Sequence, residues 1–122
     1  MRILTIGAVR YRIVAVEREG RWVARAEKVD SGDRFGGEFS GASADAASES
    51  AAQWLAWQHE HAAALDDLQR AENAYHRTVA GSAFANPTEG PTAIELQKES
   101  LEALEAARIR LDGIRARRPE TP

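Results

Sequence analysis

Histidine supplies the first candidates for chemistry in this sequence. His59, Glu60 and His61 stand in a row, with His76 further on, a set that could ligate a metal or exchange protons near neutral pH. The segment reads as helix, where residues i and i+2 point about 200° apart, so His59 and His61 cannot close on one ion as an i, i+4 pair can. His61 alone falls on the apolar stripe of that helix, and there a histidine hydrogen-bonded to a facing side chain is expected, with Glu72 in a similar part. The serines lack a facing His and Asp in a nucleophilic arrangement. Gly36-Gly37 precedes a strand, whereas a phosphate cradle needs a helix start. Zero cysteines remove thiolate chemistry and disulfides. The expectation is a protein that is not an enzyme and holds no metal or cofactor.

Arginine is the second candidate. Arg10 and Arg12 near the start, and Arg115, Arg117 and Arg118 near the end, are the residues that would touch nucleic acid. Two observations weaken that reading. Sixteen Lys plus Arg against nineteen Asp plus Glu leave a net charge of −3, so the chain has no overall basic field. The arginines are also interleaved with Glu17, Glu19 and Glu27, or lie about four residues from Glu102, Glu105 and Asp112 at a helix C-terminus, where the macrodipole favours cations. Nucleic-acid binding is therefore the second reading, behind protein–protein contact.

The elements that position these residues follow from periodicity. At 122 residues, 43% hydrophobic and 29% charged, the chain has the composition of a globular protein with one core. Strand chemistry fills Arg2 to Ile6, Val9 to Glu17, Arg21 to Val29 and Arg34 to Ser40, with breaks at Gly7, Glu19-Gly20 and Asp30 to Asp33. A tight turn at Glu19-Gly20 sets Arg18 opposite Arg21, Ala15 opposite Ala24, Ile13 opposite Ala26 and Arg12 opposite Glu27. Tyr11, Ile13, Ala15, Trp22, Ala24 and Ala26 then share one face. Arg10, Arg12, Arg25, Glu27, Val14, Val16 and Val23 share the other. A glutamate in a turn that asks for positive φ is an awkward fit, and a longer turn would shift this register.

After Ser40 the period becomes helical. Ser43 is the expected N-cap of a helix running to about Ala80, with Gly81 as its stop. Trp54, Trp57, His61, Leu65, Leu68, Tyr75 and Val79 fall on one stripe. Asn86-Pro87 and Gly90-Pro91 interrupt it, and the loop 81–91, with Phe84 in it, either caps a hairpin or serves as a recognition tip. Thr92 to Glu95 forms a capping box for a second helix that carries Leu101, Leu104, Leu111 and Ile114 and ends near Arg117.

These lengths imply association. The first helix spans roughly 55 Å, beyond the ~35 Å diameter of a compact domain of this size. Its start, Ala47 to Leu55, can cover the sheet, and the rest needs the second helix returning antiparallel beside it. The apolar positions of that second helix spread over nearly half its circumference, which suits two neighbours. Trp54, Trp57, His61, Leu65, Leu68, Tyr75, Leu101, Leu104, Leu111 and Ile114 are the expected contact residues, in a homodimer or against another protein. The rival is a monomer whose long helix bends at 58–64 and folds back.

The stretch Tyr11 to Val16, then Gly20 to Ala24, then Phe39 to Ser43 leading into Ala46, Ala47, Ala51 and Leu55 resembles the N-terminal module of HicB-type antitoxins, over residues about 9–55. The resemblance implies a partial ribonuclease-H-like βββα unit without nuclease carboxylates, and an antitoxin-like role in a bacterial cytoplasm. HicB antitoxins usually continue into a DNA-binding helix-turn-helix or ribbon-helix-helix, whereas this chain continues into a helical hairpin.

The sequence thus predicts an α+β protein. A small antiparallel sheet of three to four strands is packed by the start of a long helix (1–57), followed by an antiparallel helical hairpin arm (58–118) and a tail (119–122). No apolar run approaches the roughly 20 residues that span a bilayer, and no charged-then-apolar leader opens the chain, so a soluble, cytoplasmic protein without a membrane partner is expected.

Overall fold

A computed structural model describes residues 1–82 and 93–119. Its elements in chain order are β1 (Arg2–Ile6), β2 (Val9–Arg18), β3 (Arg21–Lys28), β4 (Arg34–Gly41), α1 (Ala44–Ser82) and α2 (Ala93–Ala116). The expected α+β class is observed: an antiparallel sheet in the order β1-β2-β3-β4, then two helices. None of the described helices is long and apolar enough to cross a membrane.

The chain divides into two compact units, Met1–His59 with Arg118–Pro122, and Glu60–Arg117. In the first, the two-residue turn fixes the register of β2 and β3. Arg18 pairs with Arg21, Ala15 with Ala24, Ile13 with Ala26 and Arg12 with Glu27, as the spacing predicts. Glu19 takes a φ of 52° and Gly20 one of 78°, so the glutamate sits in the left-handed region and the short turn holds.

Period-2 alternation then sorts the sheet's two faces. Tyr11, Ile13, Ala24, Ala26 and Phe39 are buried with Ala47, Ala51, Ala52 and Leu55 of α1, and Ala15, Trp22 and Trp54 pack at the margin. The Phe39 and Trp54 rings lie tilted at 5.7 Å. Alanine at five of the buried positions keeps the helix close to the sheet. The start of α1 is fixed by Ser43, whose hydroxyl accepts from the Ala46 N–H at 3.1 Å. On the same helix, the hydrogen bond and charge of Arg2 hold the Glu49 carboxyl below the usual carboxylate range.

Close approach is most demanding at Gly41, where β4 hands over to α1. A Cβ there would stand 2.6 Å from the Ala47 nitrogen and 3.0 Å from two further backbone atoms. Backbone cannot swing aside as a side-chain tip can. Gly41→Ala is therefore expected to destabilise the sheet unit by roughly 1–3 kcal/mol, measured as a lower urea midpoint.

In the second unit α1 continues without interruption to Ser82, passing through Gly81, which the sequence reading takes as the stop. Residues 58–64 are α-helical throughout. The helix of the second arm ends as expected, with the Arg117 N–H bonded to the Ile114 carbonyl at 3.1 Å. Phe84 and the capping residue Thr92 lie outside the described residues.

Candidate functional site

The histidines separate as helix geometry requires. His59 turns to the sheet, where its Nε2 is 2.5 Å from the Tyr11 hydroxyl and the two rings meet edge to face at 5.5 Å. Burial raises the Tyr11 pKa, so the phenol keeps its proton. His61 belongs to the other unit, where the Nε of Arg115 donates to its Nε2 at 3.3 Å. Among the described residues no group of three or more His, Asp or Glu side chains could hold a metal ion.

The arm is built on a seam with alternating steps of three and four. His61, Ala64, Leu68, Ala71, Tyr75 and Thr78 on α1 are buried or half-buried, as are Gln97, Ser100, Leu104, Ala107, Leu111 and Ile114 on α2. That 3.5-residue repeat is the pattern of two helices wound around each other. Partners run in opposite directions: Glu60 with Arg117 at 3.0 Å, Asp67 with Arg110, and Thr78 with Ser100 at 3.0 Å. The Thr78 hydroxyl donates to the Ala74 carbonyl at 2.8 Å, which leaves Ser100 as the donor between the two hydroxyls. The seam is apolar and tight at Ala64, Leu111 and Ile114, and polar toward Thr78 and Gln97.

This packing redistributes the expected contact residues. Leu104, Leu111 and Ile114 are buried inside the hairpin of one chain. Leu68 and Tyr75 are half-buried along the same seam, and Trp54 and Trp57 belong to the sheet unit, Trp54 against Phe39 and Trp57 beneath the Arg118 guanidinium at 5.6 Å. Leu65 and Leu101 stay open. The sequence reading missed Ala64 and Ala71, the small seam residues, and instead placed Leu65 and Val79 on the buried stripe.

The hairpin therefore has two unlike flanks. One is closed by the ion pairs Glu60–Arg117 and Asp67–Arg110, whose residues precede the seam positions. The other follows the seam, and there Leu65, Val79 and Leu101 are each 40% exposed, with the more exposed Ile94 beyond them. Glu72 and Arg108 occupy its middle, one heptad from Leu65 and Leu101 respectively.

The arginines singled out for nucleic acid are all engaged. Arg10 pairs with Asp30 at 3.6 Å and Arg12 with Glu27 at 3.1 Å. Arg115 and Arg117 reach His61 and Glu60, and Arg118 covers Trp57. Free cations are not what distinguishes these five positions. Comparison with known proteins adds nothing to the geometry: no family model, curated protein or solved structure matches this chain.

Proposed function

We propose that the protein is a non-catalytic protein–protein interaction module that forms a homodimer through the open flank of its helical hairpin. The observation that carries this reading is the row Leu65, Val79 and Leu101, large aliphatic side chains left 40% exposed beside a seam already satisfied within the chain. A second copy is the occupant that the charges suit. Two such flanks related by a two-fold axis through their middle bring Glu72 of one copy to Arg108 of the other and set leucine against valine at both ends. With this goes an antitoxin-like or regulatory setting in a bacterial cytoplasm, the role that the HicB resemblance implies.

The test is oligomeric state. Light scattering and sedimentation at micromolar concentration are expected to give twice the chain mass, and Leu65→Glu with Leu101→Glu to give one chain mass with unchanged helical circular dichroism. A monomeric wild type would overturn the reading. So would a double variant that stays dimeric.

A further inference from the structure

We infer that the outer face of the sheet is a docking surface for an acidic segment of a partner protein that also carries apolar side chains. This surface belongs to the sheet unit and is independent of the arm. Four observations carry it.

The face has an apolar floor that stays exposed among the described residues. Val16 and Val23 are directly opposite each other across β2 and β3, Val14 lies one pleat away, and Val14 and Val16 are exposed. Antiparallel sheets commonly leave one face to water, but that face is then polar along its length. Here valines occupy its centre.

The rim is cationic beyond what the fold neutralises. Arg18 stands directly opposite Arg21, a like-charge cross-strand pair that costs stability. Among the described residues Glu38 alone answers two of the rim's guanidiniums, Arg25 at 2.7 Å and Arg18 at 3.5 Å. Arg21 and Arg34 make no ion pair with any described residue.

The rim and floor also enclose space. One shallow hollow of about 250 Å³ is lined by Val14, Val16, Arg25, Ala26, Glu27 and Arg34, and another of about 320 Å³ by Glu19, Arg21, Val23, Glu38 and Ser40, with Arg18 bordering both. Guanidiniums around an apolar pit fit a side-chain carboxylate next to an aliphatic or aromatic side chain, through bidentate hydrogen bonds and apolar burial together.

The same chemistry argues against a nucleic-acid strand. Stacking platforms for bases are aromatic, and the floor here is valine. Glu19, Glu27 and Glu38 would face a phosphate chain that carries charge at every step, whereas a peptide can place its acids opposite the arginines alone.

The experiment is fluorescence anisotropy on the whole chain with four labelled probes: a peptide alternating Glu and Leu, a polyglutamate peptide of equal length, a poly(U) RNA and a duplex DNA. The Glu–Leu peptide is expected to bind most tightly, to weaken with salt, and to lose about tenfold in affinity on Arg21→Glu with Arg34→Glu. Val16→Ser is expected to narrow its advantage over polyglutamate. Both arginines are exposed at the surface, so the charge reversals leave the core intact. Repeating the titration on Leu65→Glu with Leu101→Glu separates this site from self-association, because binding is expected to persist in the monomer. No binding of the Glu–Leu peptide, equal binding to the charge-reversed chain, or tighter binding of either nucleic acid would overturn the proposal.

Discussion

Phe39→Ala is expected to cost the sheet unit about 3–5 kcal/mol, the range for removing a fully buried phenylalanine. Phe39 is 1% exposed and packs among Tyr11, Ile13, Leu55 and the α1 alanines, with Trp54 tilted against its ring. Alanines around it cannot expand into the space the ring leaves, so the cavity persists. Since a domain is stable by only about 5–15 kcal/mol, a loss of this size removes a large share of the folding free energy. The readout is specific, because the three tryptophans of the chain, Trp22, Trp54 and Trp57, all lie in this unit. Urea denaturation followed by tryptophan emission should show the midpoint fall. A shift below about 1 kcal/mol would mean that Phe39 is not in the core described here.

The arm gives the second large effect. Leu111→Ala is expected to destabilise it by about 2–5 kcal/mol, whereas Leu101→Ala should change the folding of the arm by less than about 1 kcal/mol. The two leucines are chemically identical and lie on the same helix, but Leu111 is 2% exposed in the seam and Leu101 is 40% exposed on the flank. A two-helix arm has little stability to spare, so amide exchange along α2 should lose its protection in the Leu111 variant and keep it in the Leu101 variant. Equal effects would erase the distinction between seam and flank on which the proposed dimer rests. In the proposed dimer Leu101→Ala is expected to weaken association, which a concentration series separates from folding.

The seam also shows why part of the arm was hidden in the sequence. A stripe drawn at 3.6 residues per turn drifts by about 20° per heptad from a 3.5-residue seam. Both keep His61, Leu68 and Tyr75, and they part only at the step that follows, three residues on to Ala64 and Thr78 or four on to Leu65 and Val79. Hydrophobicity favours the longer step, since it ranks leucine and valine above alanine and threonine. Small residues win the seam because they let two backbones approach, and that criterion exists only once the second helix is in place. The same reason converts Leu104, Leu111 and Ile114 from expected contacts with another molecule into contacts within the chain.

Tyr11 and His59 were illegible for a different reason. They are 48 positions apart, and nothing local to either residue names the other. His59 was correctly separated from His61 by the 200° rule, but its partner depends on how α1 crosses the sheet. Gly41 is similar. As a letter it is one glycine near the end of a strand, and its necessity comes from the Ala47 backbone lying 2.6 Å from where its Cβ would be.

What the sequence determined alone is what short-range physics controls. Two-residue alternation chose the faces of β2 and β3, the Glu19-Gly20 turn locked their register, and the Ser43 hydroxyl set the first turn of α1. Each depends on residues close in the chain and on backbone geometry that no distant contact can overrule at lower cost. The tertiary structure decided which apolar side chains were consumed internally and which were left over. That outcome depends on distances between elements, set by whichever residues are smallest at the point of contact, and it left the leucine and valine flank of the arm and the valine floor of the sheet open.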